Sequence, residues 1–258
     1  MSVRPGVPTP ARVRRREVLT DHLVRLSVDV PGWTSTGIPD EWVALTVPGQ
    51  FQTRYYTVRR HDGDELTFDV VVHEAGLVTQ WAQTDCVGDE VGIAEPKGSF
   101  ALPDDAGWLV LVGDLTALPA IARITESISG LPVTSYVEAP AGTAAAYPDA
   151  PGGPESIDWR EPPGAGESAL AELVRGIAWP EGPGYFWMAG ESAQMREIRK
   201  HLRHDVGFEA GRFDVMGYWS TSRGRRARAV DPGPIYARGK AAGMSDEEIW
   251  AAYDEARG

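Results

Sequence analysis

The run Trp108 to Gly113, WLVLVG, is apolar throughout up to its closing glycine. A strand of alternating apolar and polar residues can leave one face in water, whereas one that is apolar throughout must be covered on both faces. The common solution is a parallel sheet held between layers of helices. The residues downstream fit that solution. Leu118, Ile121, Ile124 and Ile128 recur at helical spacing until Gly130 and Pro132 stop the helix. VTSYV then reads as a second strand, and Leu170, Leu173, Val174 and Ile177 as a second helix. YFWMAG, SAQMREIRKHLR and FDVMGYW continue as strand, helix and strand. The intervening stretch rich in Pro, Gly and Ala is expected to be a surface insertion. Alternating strands and helices predict βαβ units and a parallel α/β sheet with helices on both faces.

Upstream the pattern is different. From Arg12 to Phe100, short apolar runs are separated by turn clusters such as PGW, PGQ and HDGDE. Leu66, Phe68, Val70 and Val72 alternate with Thr67, Asp69 and Val71, the period of a half-buried strand. Several such strands predict a small antiparallel β-barrel or sandwich, of which the barrel is the reading carried forward. The expected division is therefore a barrel over residues 1–104 and an α/β unit over 105–258. The second unit ends in a helical tail, where Ser245 and Glu248 are spaced as a capping box ahead of Trp250 and Tyr253.

Charge and cysteine usage remove several functions. With 37 acidic against 25 basic side chains, the net charge of -12 argues against nucleic-acid binding, which rests on neutralising phosphates. Cys86 is the only cysteine, which excludes an intramolecular disulfide and a four-thiolate metal cluster, so redox chemistry here needs an organic cofactor. No metal site is expected. No run approaches the roughly 20 apolar residues of a membrane span, so a cytoplasmic protein without membrane insertion is expected.

Three segments carry candidate chemistry. In RYYTVRR, Arg54 and Tyr56 lie two apart on one strand and share a face, with Thr57 at the edge. Arginine offers a fork to phosphate and tyrosine a ring to stack on, although the same residues also suit a plain barrel strand. In HEAGLVTQWA, Gly76 sits between a strand and a helical turn, a junction that presents free backbone N–H groups to phosphate. A tight turn with a packed tryptophan explains that segment equally well. In VGDLTALPAI a buried strand ends at Gly113 and a helix follows, the crevice where α/β proteins bind ligands. MAGES repeats the arrangement at Met188 to Ser192, and neither junction has the G-x-G-x-x-G pattern of an ordinary dinucleotide site.

In their order, RYYTVRR, DVVVHEAGLVTQWA, VGDEVGIAEPKGSF, VGDLTALPAIARI, WMAGESAQMREIRKHLR and VMGYW resemble the siderophore-interacting protein family over about Arg12 to Trp219. These are FAD-dependent ferric-siderophore reductases of the ferredoxin-reductase-like superfamily. The resemblance implies that Arg54 binds a phosphate of FAD. Tyr56 would pack on the isoalloxazine, and Thr57 would hydrogen-bond near its N5 edge, these two being the residues at the reacting centre. Gly76, Leu77, Val78 and Thr79 would offer backbone or hydroxyl groups to the pyrophosphate, with His73 beside them. Asp114, Thr116, Ala117 and Pro119 would line the nicotinamide side, Gly190, Glu191 and Ser192 would flank the pyridine nucleotide, and Tyr218 and Trp219 would close the site. Tyr55, between the two named strand residues, is expected to face the barrel interior or a neighbouring strand.

The chain departs from the family pattern at Ser220, where an arginine is common, and at Lys97, where arginine is frequent. An anionic ferric siderophore would need a local basic mouth in so acidic a chain, and Lys97, Arg59, Arg60 and Arg223 are the candidates. Glu138, ending VTSYVE, reads equally as a surface glutamate or as an acceptor for a ribose 2′-hydroxyl, the second of which leans to NADH over NADPH, while some members of the family use ferredoxin. A monomer is expected. Two other readings stay open: a flavin-linked reductase with a different acceptor, and a non-enzymatic siderophore-binding module.

Overall fold

The computed structural model describes residues 8–49, 53–73, 76–147, 157–164 and 167–220, with Arg238, Ala242 and Met244. The segment holding Arg223 and the tail helix expected from Ser245 lie outside the described residues.

Seven strands form the first sheet: β1 (Thr9–Thr20), β2 (Leu23–Asp29), β3 (Trp42–Thr46), β4 (Arg54–Thr57), β5 (Arg60–Asp62), β6 (Glu65–Val71) and β7 (Glu90–Ile93). Their order is β4-β3-β7-β1-β2-β6-β5, and neighbouring strands run antiparallel. The outermost strands, β4 and β5, are consecutive in sequence and joined only by Val58 and Arg59. Val58 N donates to Glu41 O and Arg59 N to Thr67 O, both at 2.9 Å, so the short link between the two outermost strands is tied to the sheet on either side. The alternation in β6 is realised: Leu66, Phe68 and Val70 lie in the barrel core with Leu26, Val43 and Ile93. Helix α1 (Leu77–Gln83) plugs the barrel with Val78, Trp81 and Ala82.

The second sheet has the order β10-β9-β8-β11-β12 and is parallel throughout: β8 (Leu109–Asp114), β9 (Val133–Glu138), β10 (Ile157–Arg160), β11 (Tyr185–Glu191) and β12 (Phe213–Trp219). Strands β8 and β11 are buried at every position, as a sheet covered on both faces requires. Helix α2 (Leu118–Ser127) covers one face, and α4 (Leu170–Arg175) and α5 (Ser192–His201) cover the other. The stretch read as a surface insertion instead supplies α3 (Thr143–Ala146) and the edge strand β10. Its four residues, IDWR, alternate in exposure as an edge strand does, and so short a run leaves little periodic signal.

The two sheets share core. Leu23 of β2 and Phe100, which follows the barrel, join Leu109, Leu111 and Trp187 of the parallel sheet in one apolar cluster. Polar ties reinforce the junction. Glu126 of α2 accepts two hydrogen bonds from Arg59, at 2.8 and 2.6 Å, and Arg123 donates to Val58 O at 2.7 Å. Tyr147 donates to Asp69 at 2.8 Å, a carboxylate already held by both arms of Arg25.

Candidate functional site

Strand β4 lies along β3 with Thr57 opposite Trp42 and Tyr56 opposite Val43. Trp42 also pairs with Lys97 on its other side, so Lys97, Trp42 and Thr57 stand in one row across the barrel rim. Arg54 is exposed, Tyr56 half-buried and Thr57 buried. The charge of Arg54 reaches Tyr56, in keeping with a shared face, yet burial outweighs it and pushes the phenol up to about 12. Tyr56 rests part of its ring on the barrel core. Tyr55 corrects the expectation made for it: it is 66% exposed and faces away from the barrel interior. On an edge strand the outward face meets solvent, and no neighbouring layer covers it.

Gly76 precedes α1 with φ 148, a value that L side chains rarely adopt. A Cβ there would also lie 2.9 Å from Cε1 of His73, so the histidine ring and the glycine are fitted to each other. No acidic residue occupies the first turn of α1 and no side chain caps it. The N–H groups of Leu77, Val78 and Thr79 therefore keep the partial positive charge of a helix start. Of the two groups expected from Thr79, backbone and hydroxyl, the hydroxyl is engaged within the chain. Its hydroxyl donates to Val71 O and accepts from His73 N, both at 3.1 Å, so it closes the strand-to-helix turn and leaves only its N–H for an anion. Leu77 is half-exposed, whereas the Val78 side chain is in the barrel core.

The carboxyl ends of the parallel strands gather three acids, each occupied by the protein itself. Asp114 accepts from Thr116 N at 2.9 Å, Thr116 Oγ1 at 2.5 Å and Trp219 Nε1 at 2.6 Å. Burial raises its pKa, and those donors oppose the rise. The glycines follow from this crowding. A Cβ on Gly190 would sit 2.9 Å from Asp114 Oδ2, and one on Gly113 would sit 2.4 Å from the Cβ of Ala117. Glu191 caps α5 by accepting from Ala193 N and Gln194 N. Glu138 accepts from Ala169 N at 2.7 Å, and burial raises its pKa. Its expected reach toward a ribose is thus corrected, because the carboxylate holds the entry of α4.

Strand β12 brings this edge to the barrel. Ser192 Oγ donates to Trp219 O at 2.7 Å, and Asp114 holds the Trp219 indole, so the last strand is fastened at both backbone and side chain. Tyr218 lies beside Thr57 with its hydroxyl enclosed, and burial raises that phenol strongly, with Asp40 adding to the rise. A row therefore runs from Lys97 through Thr57 to Tyr218 and Trp219.

Arg59 lines a cleft on the barrel with Arg15, Arg25 and Arg60, but its side chain is spent on the interior. It is 1% exposed and forked onto Glu126, which corrects its expected place at a substrate entrance. Lys97 and Arg60 are exposed. No pattern along the chain marks Asp40, Ser99 and Asp214, which meet where the barrel touches β12. Their partners are 59 and 115 residues apart, beyond any local period.

Residues 49–100 match the model of the siderophore-interacting FAD-binding domain, and residues 106–222 match that of the siderophore-interacting protein. The mycobactin import ATP-binding/permease protein IrtA of Mycolicibacterium smegmatis is 27% identical over 86% of this chain and 27% of its own length. An NADPH-dependent ferric-chelate reductase of Escherichia coli is 26% identical over 67% of this chain and 66% of its own. The chain thus spans about a quarter of the first relative and about two thirds of the second. A siderophore utilization protein from T. fusca superposes with a TM-score of 0.68 at 26% identity, covering 86% of this chain and 94% of that one. A barrel matching the FAD-binding domain, followed by a parallel sheet matching its companion, places this chain in the siderophore-interacting protein family.

Proposed function

We propose that the protein is an FAD-dependent reductase that takes two electrons from NAD(P)H and gives them singly to ferric siderophore. The observation that carries this reading is the meeting of Thr57, at the end of the Arg54–Tyr56 strand, with Tyr218, the neighbour of Trp219 at the end of the parallel sheet. The strand read as a flavin seat and the strand end read as a nucleotide edge are then neighbours.

The residues fit FAD. Arg54 supplies an exposed guanidinium for a phosphate, the first turn of α1 supplies N–H groups free of competing acid, and Gly76 allows close backbone approach. Bound FAD would supply the exchange between a hydride donor and a one-electron acceptor. The balanced reaction would turn NAD(P)H and two Fe(III) into NAD(P)⁺, two Fe(II) and one proton. Tyr56 would support the ring system and Thr57 would hold its polar edge. Asp114 positions Trp219, which would exclude water from that edge. Lys97 and Arg60 would draw in an anionic chelate. Oxygen donors bind hard Fe(III) far better than Fe(II), so reduction loosens the metal.

The family, the ferric-chelate reductase relative and the siderophore utilization structure support this reading. The relative's name supports NADPH, and with Glu138 committed to α4 the reason for preferring NADH is gone. We further propose a division near residue 104 and a cytoplasmic monomer; among the described residues no helix is long and apolar enough to cross a membrane. The test is the absorption spectrum of the purified chain, then anaerobic addition of NADPH, NADH or reduced ferredoxin with ferric siderophore and a ferrous trap. A flavin spectrum with trapped Fe(II) is expected. A chain that binds ferric siderophore but never flavin is instead a carrier.

A further inference from the structure

Strand β12 directs Asp214, Met216 and Tyr218 to one face, away from the cluster that takes Phe213 and Val215. On that face Asp214 Oδ2 lies 2.5 Å from Ser99 Oγ, and the same hydroxyl oxygen lies 3.0 Å from Asp40 Oδ2. A serine hydroxyl has one hydrogen and cannot donate to two carboxylates. Met216 Sδ, 3.2 Å from Ser99 Oγ, has none to give. Asp40 is fully buried and already accepts from Ser99 N at 2.9 Å, Phe100 N at 3.0 Å and Trp187 Nε1 at 3.3 Å. Those donors all point at Asp40, and the hydrogen missing from the Asp214–Ser99 contact is assigned to Asp214.

We propose that Asp214 keeps its proton in the folded protein above the pH at which ordinary aspartates lose it, donating to Ser99, which donates in turn to Asp40. One proton then fastens the barrel to the last strand of the parallel sheet, and Asp214 is a positioning residue for Tyr218, four residues further along the same face. Losing the proton would set two carboxylates against one hydroxyl. The strand end that carries Tyr218 to Thr57 would loosen.

The groups facing Asp214 agree in sign. Burial raises its pKa most, and the negative charge of Asp40 adds to the rise. Tyr185 of β11 and Tyr218 also feel Asp214, and both phenols are raised, so both face it as neutral groups. Arg199 of α5 opposes the rise, but its guanidinium is held on Val215 O. The inference concerns the chain's own residues and stands or falls separately from the flavin reading.

The experiment is pH titration of the assigned Asp214 carboxyl by carbon NMR on the purified full chain, with melting curves of wild type and Asp214→Asn from about pH 4 to about pH 8. Asparagine offers an N–H to Ser99 and does not titrate. The raised pKa stabilises the folded state fully below the unfolded value, and that contribution is lost as pH rises through the folded value. Wild type should therefore match the variant at the acid end and fall behind it as pH rises. The melting points should part by roughly 3–5 °C for each tenfold by which folding tightens the hold on this proton. An Asp214 carboxyl that titrates at or below the ordinary aspartate range overturns the proposal. So does a variant whose melting point differs from wild type by the same amount at every pH. The NMR arm decides the matter even if the variant does not fold.

Discussion

Trp219 Nε1 donates to Asp114 Oδ2 at 2.6 Å, joining the last strand of the parallel sheet to the first. Asp114 thereby fastens the start of α2 and the end of β12 with one carboxylate, in a space where Gly190 leaves no room for a Cβ.

Removing Asp114 strands buried donors. Asp114→Ala should cost about 1–3 kcal/mol of stability, because buried polar groups are left unpaired, read as a lower melting point. Asp114→Asn keeps an acceptor and removes a titration. Because burial raises the folded pKa of Asp114, wild-type stability declines relative to this variant as pH rises from about 4 through the folded value. A gap between the two melting curves that is flat with pH would contradict the placement.

Arg59 and Lys97 should separate cleanly. Arg59→Ala should destabilise by about 1–3 kcal/mol, discounted because Glu126 stays partly in water and is resolvated when its partner goes. It should leave the salt dependence of the proposed reaction with an anionic ferric siderophore unchanged. Lys97→Ala should change stability by no more than about 0.5 kcal/mol yet lower the second-order rate, most at low ionic strength. Stopped-flow rates at several salt concentrations distinguish the two.

The neighbouring tyrosines should also divide. Tyr55→Ala, at an exposed position, should shift stability by about 0.5 kcal/mol or less. Tyr56→Ala removes a ring that rests on the barrel core, and should lower both the melting point and the fraction of purified chain that carries flavin. Flavin-to-protein absorbance ratios measure the second effect directly.

At Gly76 an added methyl meets both a disfavoured φ and the His73 ring at 2.9 Å. Gly76→Ala should cost about 1–3 kcal/mol and loosen the first turn of α1. His73→Ala in the same chain should recover part of that loss, because it removes the clash and leaves the backbone strain. A double-mutant cycle on melting free energies checks the coupling.

Whatever has a local period was legible along the chain. Alternation in Leu66–Val70, the unbroken apolar runs of β8 and β11, and the helical spacing of Leu118 to Ile124 each report burial of a neighbouring face within a few residues. The Arg54–Tyr56–Thr57 strand and Gly76 could be read for the same reason, since strand alternation and a forced turn are properties of adjacent residues. Which partner each polar group met was settled by packing. Packing of α2 against the Val58–Arg59 link buried an arginine that looked like surface, while Tyr55 faces outward. It also set Arg59 against Glu126 across 67 residues, Trp219 against Asp114 across 105 and Trp187 against Asp40 across 147. Charge and hydrogen-bond contacts have no period along the chain. Their partners are chosen by which surfaces the apolar clusters bring together, so they become visible only once both sheets are packed.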